Sequence, residues 1–308
     1  KSSLHWFASI VLGGFLVGTP KSLLDNSPLR SLLSRNIRFP RIQASIDAGH
    51  LRAVTVTAAG YGSARSTSCF QGAPDCEGWS RTRRTGIRQA INLDHLMASI
   101  AVPMIFPPVM INGEYYGDGA MRQATPLSPA IHLGADRILV IGIRDEAAVP
   151  PPDPANPQPF PSFAQIAGYM LDTLFMDGLY SDLERMTRIN QLIDSVKPEH
   201  RSASLEKMRP IDTMVILPSR DLRVIAHEHR RDLPLPVRGL LRGIRGRSKS
   251  EDRLLSFLLF EQSYTQALID LGYNDAMQCR EQILDFISGN EVPRLFAPPW
   301  VKKDLAAW

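Results

Sequence analysis

Five consecutive residues hold the clearest chemical potential in this chain: Tyr116, Gly117, Asp118, Gly119 and Ala120. Glycine on both sides lets the backbone turn sharply and approach other groups closely, so the carboxylate can project from the end of a strand. An aspartate so placed can take a proton from a nucleophile or orient another proton acceptor. The plainer reading is a turn aspartate whose side chain caps nearby N–H groups. A nucleophile motif is missing, since no G-x-S-x-G occurs in the 308 residues. The nearest glycine–serine cluster, Gly60-Tyr61-Gly62-Ser63-Ala64-Arg65, lacks that spacing.

Other reactive side chains have weaker settings. His227-Glu228-His229 places two imidazoles two apart, without H-E-x-x-H spacing or a third ligand, so a surface pair is favoured over a metal site. His95 precedes the apolar loop before Asp118, where packing or capping is the readier role. His50 and His132 have no informative neighbours. Cys69, Cys76 and Cys279 form no disulfide framework, and their odd number fits a reducing compartment. Arg81, Arg83, Arg84 and Arg88 make a basic cluster that either lies exposed on a loop or grips phosphate through planar guanidinium forks.

The elements around Asp118 follow from local signals. Residues 51–58 (LRAVTVTA) are rich in β-branched side chains and predict a buried strand, ended by Gly60 and Gly62. Residues 71–86, rich in Gly, Arg and Thr, read as a loop. A short helix is predicted over 93–100, stopped by Pro103 and the Pro107-Pro108 pair. Asn112-Gly113 predicts a tight hairpin leading the chain to Asp118. A helix over 126–133 and a continuous apolar strand over 137–143 (RILVIGI) suggest an α/β layered core. Earlier, Ser27-Pro28 reads as a helix start with serine as the cap.

Further on, residues 149–161 hold seven prolines in thirteen positions and read as a linker. A long amphipathic helix over 163–196, a strand over 213–217 and helices over 254–271 and 275–287 follow, with Gly272 and Gly289 as stops.

The ordered set A-S-x-A-x-P (Ala98 to Pro103), N-G-x-x-Y-x-D-G-A (Asn112 to Ala120) and P-L-x-P-A (Pro126 to Ala130), with L-L-D-N-S-P-L from Leu23 to Leu29, resembles the second half of a patatin-like phospholipase domain. The resemblance spans residues 22–145 and is closest in character to bacterial members with helical C-terminal extensions. It implies a patatin-like layered α/β fold, with a mainly parallel sheet flanked by helices. It also implies a Ser-Asp dyad without histidine, in which the aspartate is the base toward a serine on a strained G-x-S-x-G elbow. That role falls on Asp118, with Gly117, Gly119 and Ala120 completing the motif and Ser99 and Pro103 lining the site. Ser99 is not the nucleophile.

In that family the glycine-rich oxyanion loop and the elbow precede the matched region, so the expectation is a domain whose first part is missing, inactive by itself. The expected division is a hydrolase segment over 1–148, a Pro-rich linker over 149–162 and a mainly helical extension over 163–308. Lipid or acyl-ester is the implied substrate; neither metal nor organic cofactor is implied.

Composition sets wider bounds. A hydrophobic fraction of 44% and a charged fraction of 21% are those of an ordinary globular protein, and a net charge of +4 gives no case for nucleic acid. Nine Arg and Lys between positions 220 and 249, against three acids, suit either a solvated face or an anionic membrane surface. Residues 6–18 are apolar but too few to span a bilayer, which needs about 20. They read as a buried or lipid-facing helix, and the expected location is cytoplasmic, with peripheral membrane contact open. Two rivals remain: a non-catalytic lipid-surface or regulatory protein on the same scaffold, and an α/β hydrolase of another family with a conventional triad.

Overall fold

A computed structural model describes residues 22, 24–123, 125–142, 160, 163–197, 200, 208–233, 255–256, 259–290 and 292–298. The apolar stretch at 6–18, the proline-rich segment apart from Phe160, and residues 234–249 of the basic region lie outside the described residues. The chain divides into two compact units, Lys1–Ala135 and Asp136–Trp308.

In the first unit, helices α1 (Ser27–Asn36) and α2 (Pro40–Asp47) precede strands β1 (Ala53–Gly60), β2 (Ser66–Gly72), β3 (Trp79–Arg81) and β4 (Arg84–Arg88). Helix α3 (Leu93–Ser99), strands β5 (Val109–Ile111) and β6 (Glu114–Asp118), a 3-10 turn (Gly119–Met121) and helix α4 (Ser128–His132) complete it. The strands form one sheet in the order β3-β4-β2-β1-β6-β5. Pairing is mixed: β2 and β4 run parallel, while β1–β2, β1–β6, β3–β4 and β5–β6 are antiparallel. Helix α3 packs on β1, β5 and β6, and α2 on β2, which gives the α/β layering.

Several expectations meet their physical causes here. Asn112 and Gly113 both have positive φ (49° and 86°), as a two-residue hairpin between β5 and β6 demands. Asn92 starts α3 by accepting from the N–H groups of Asp94 (3.0 Å) and His95 (3.3 Å). His95 Nδ1 accepts in return from Asn92 N–H at 3.1 Å, so the histidine closes a capping box. Helix α1 begins at Ser27, but its cap is not the serine hydroxyl. Asp25 Oδ1 accepts from Ser27 N–H at 2.9 Å instead.

The largest departure is at residues 71–86. There β2 ends, and the segment expected to be a loop supplies β3 and begins β4. Periodicity is absent from so short and basic a stretch; the partner strand and the core decide its state. Trp79 is buried against Phe70 (centroids 5.5 Å apart), in a cluster with Cys76 and Leu133. Arg88 ties the crossover down by donating to the carbonyls of Gly72 (2.8 Å), Ala73 (2.8 Å) and Pro74 (3.2 Å), and to that of Cys76.

The second unit holds a parallel sheet of β7 (Arg137–Ile141), β8 (Asp212–Ile216) and β9 (Leu295–Phe296), in that order. Its helices are α5 (Phe163–Ser195), α6 (Leu222–Glu228), α7 (Gln262–Gln278) and α8 (Arg280–Ser288). Helix α7 continues through Gly272, whereas Gly289, at φ 82°, does end α8 in the left-handed conformation. Asn190 of α5 brackets Ile211 with two hydrogen bonds, donating to its carbonyl (2.8 Å) and accepting from its N–H (3.0 Å).

Candidate active site

Asp118 is the last residue of β6 and sits opposite Ala58 of β1. Its N–H donates to the Ala101 carbonyl at 3.0 Å, which ties the motif to the loop after Ser99. That loop is held in turn by the Leu24 N–H, which donates to Ile105 O at 2.9 Å. The L-L-D-N, A-S-x-A-x-P and D-G-A segments therefore meet through backbone hydrogen bonds.

The carboxylate is 8% exposed. Oδ1 accepts from the Ala120 N–H at 2.9 Å and caps the 3-10 turn; Oδ2 has no hydrogen bond among the described residues. Burial pushes its pKa up to about 6, opposed by the Ala120 N–H. One oxygen is thus fixed and the other is free to accept a proton near neutral pH. The turn-capping role and the proton-acceptor geometry coexist in one side chain.

Both flanking glycines sit in tight space, but what crowds them differs. A Cβ on Gly119 would lie 2.4 Å from the Thr57 carbonyl oxygen, an immovable backbone contact. One on Gly117 would lie 2.7 Å from the Tyr61 hydroxyl, at the end of a side chain. Tyr61 was not legible as a neighbour, because only the β1–β6 pairing brings its turn to Gly117. Its hydroxyl pKa is raised by burial and then by the charge of Asp118.

Ala120, half-buried, supplies the N–H that fixes Asp118. Ser99 closes α3 half-buried and makes no hydrogen bond to Asp118. Pro103 is half-buried in the following turn, where Met104 takes a positive φ of 66°. On the sheet face that Tyr116 shares with Asp118 by strand alternation lies a small cleft, lined by Tyr116 but not by Asp118. Val56, Ala58 and Ile111 give it apolar walls, and Cys69, His95 and Tyr116 give it polar ones. Burial raises the Cys69 thiol and lowers His95, so both are held neutral.

The remaining candidates resolve into local partners. His227 Nε2 lies 3.0 Å from Arg230 Nη1, and His229 Nδ1 lies 3.0 Å from Asp232 Oδ2. No group of three or more His, Cys, Asp or Glu that could hold a metal occurs among the described residues. Cys69, Cys76 and Cys279 are all free thiols.

The family model described as Patatin-like phospholipase matches residues 2–131, the stretch that contains this whole arrangement. No curated protein and no solved structure matches the chain. The order of the three motifs, their convergence on Asp118 and the family match agree: residues 2–131 are similar to the patatin-like phospholipases.

Proposed function

We propose that this chain carries the base-bearing part of a lipid acyl hydrolase, in which Asp118 takes the proton of a serine nucleophile. The observation that carries the reading is the Asp118 carboxyl itself: buried, fixed through Oδ1 by Ala120 N–H, open at Oδ2, and titrating near 6. At neutral pH such a group is ionised, yet basic enough to accept a proton in the transition state. The serine would then attack the ester carbonyl. The ester C–O bond would break and the alcohol leave with the proton held by Asp118, giving an acyl-enzyme. Water would cleave its serine ester bond, releasing the acid and restoring the serine hydroxyl. No histidine is needed, and none hydrogen-bonds Asp118 among the described residues. The serine of this dyad would stand on a G-x-S-x-G elbow, a motif absent from these 308 residues.

The similarity to the patatin-like phospholipases supports a lipid or acyl-ester substrate. The motif glycines and Ala120 hold the base, and the Ser99–Pro103 loop positions its strand through the Ala101 carbonyl. The test compares the full-length gene product with its Asp118→Asn variant on a chromogenic acyl ester. Loss of a base should lower kcat by roughly 10²–10⁴-fold. Equal rates in the two proteins would remove Asp118 from the mechanism.

The basic segment between Arg220 and Lys249 supports a second reading, a non-catalytic lipid-surface protein on this scaffold. No described helix is long and apolar enough to cross a membrane. Of the basic segment, Arg220 pairs with Glu228 (2.9 Å) and Arg223 with Asp221 (2.7 Å). Sedimentation with anionic vesicles, without turnover by the full-length protein, would support this reading over the first.

A further inference from the structure

Two of the arginines in the β3–β4 hairpin stand in an arrangement that the fold does not explain. Arg81 and Arg84 are direct cross-strand partners, so their guanidinium groups emerge side by side on one face of the sheet. Like charges directly opposite one another destabilise a strand pair. Neither forms an ion pair with a carboxylate among the described residues. His132 of α4 is brought to the same face by Trp79, whose ring stacks on the imidazole at 4.7 Å between centroids. The result is two guanidinium groups and an imidazole converging with no described counter-charge.

Arg84 is also incompletely satisfied. Nη1 donates to Thr125 Oγ1, which orients the guanidinium plane. Nε is buried with no hydrogen-bond partner among the described residues. Nη2, on the same edge of the fork as Nε, has no described partner either. That edge is the one that grips a carboxylate or phosphate with two parallel N–H bonds. A buried donor left without an acceptor is costly, and an oxyanion at this edge removes that cost. Arg88, by contrast, directs its donors to four backbone carbonyls and is excluded from the site.

We propose that Arg81, Arg84 and His132 form a binding site for a phosphate group, with the guanidinium of Arg84, whose Nε–Nη2 edge has no described acceptor, as its anchor. Arg81 supplies the second cation, and His132, backed by Trp79, supplies a donor on the third side. Burial first, and then these two arginines, lower the pKa of His132, so an anion bound between them should raise it again. The site does not depend on Asp118 being a base, because its occupancy is read without turnover.

The experiment follows the His132 ring signals by NMR in the full chain during titration with inorganic phosphate, at ionic strength held constant with chloride. Wild type should show a saturable shift and a higher titration midpoint for His132 when phosphate is bound. Arg84→Gln and Arg81→Gln should each weaken the response by about tenfold or more. Arg81 is exposed and, among the described residues, hydrogen-bonded only to the Ser80 carbonyl, so its variant stays informative even if loss of the Thr125 contact perturbs folding. Cosedimentation with phosphatidic acid vesicles, against phosphatidylcholine vesicles, identifies the source of the phosphate. Binding to the former that needs both arginines marks a lipid head group; phosphate saturation without vesicle binding marks a soluble phosphate ester. A His132 response that follows chloride as closely as phosphate, or survives both substitutions, overturns the site.

Discussion

Replacing Asp118 by asparagine should stabilise the first unit, and do so only above a defined pH. The side chain keeps its shape, and its Oδ1 still accepts from Ala120 N–H. What disappears is the burial of a negative charge. A carboxyl raised from 3.8 to about 6 binds its proton more tightly when folded than when unfolded. Between those values the native state therefore holds more protons, and stability falls as pH rises. Above about 6 the loss is complete. At about 1.4 kcal/mol per pKa unit, an upward displacement of this size costs roughly 3 kcal/mol at pH 7.5 and only about half a kcal/mol at pH 4. Urea unfolding at the two pH values, followed through hydrogen exchange of the β1 and β6 amides, measures it. Asp118→Asn should gain up to about 3 kcal/mol at pH 7.5 and about half a kcal/mol at pH 4. An equal gap at both values, or a variant less stable at pH 7.5, would refute burial as the cause of the raised pKa.

Two structural predictions accompany it, read by thermal unfolding. Gly119→Ala drives a Cβ into the Thr57 carbonyl and should cost more than about 2 kcal/mol, whereas Gly117→Ala meets only the movable Tyr61 side chain and should cost less. Asn92→Ala removes the cap of α3 and should lower stability by about 1 kcal/mol, with His95 losing its place in the capping box.

How much of this was legible in the sequence differs by element. Strand β1, the Asn112-Gly113 hairpin, α3 and the long helix α5 carry their own signals, namely β-branched runs, obligatory positive φ and caps. Strands β3 and β4 carry none. Their residues are basic and glycine-containing, and only pairing with β2 and burial of Trp79 give them a state. At the site, Gly117-Asp118-Gly119 announced a tight turn, and only its resemblance to a known motif order suggested a base. The raised pKa comes from burial by strands distant in sequence, which no local pattern contains. The same holds for Tyr61 against Gly117 and for the Arg81–Arg84 pair. An arginine cluster read as one group of four divides, in the fold, into a structural Arg88, an Arg81–Arg84 pair proposed as a site, and Arg83 in the turn between that pair.

The central claim is that Asp118 accepts a proton during ester hydrolysis, and the pH profile of kcat/KM for the full-length protein tests it most directly. The raised carboxyl predicts a rate that climbs through pH about 6 and levels off above it, because only the ionised form can act as base. In Asp118→Asn the rate should fall by roughly 10²–10⁴-fold and that limb should vanish. A variant that keeps both the rate and the ascending limb near pH 6 would contradict the account.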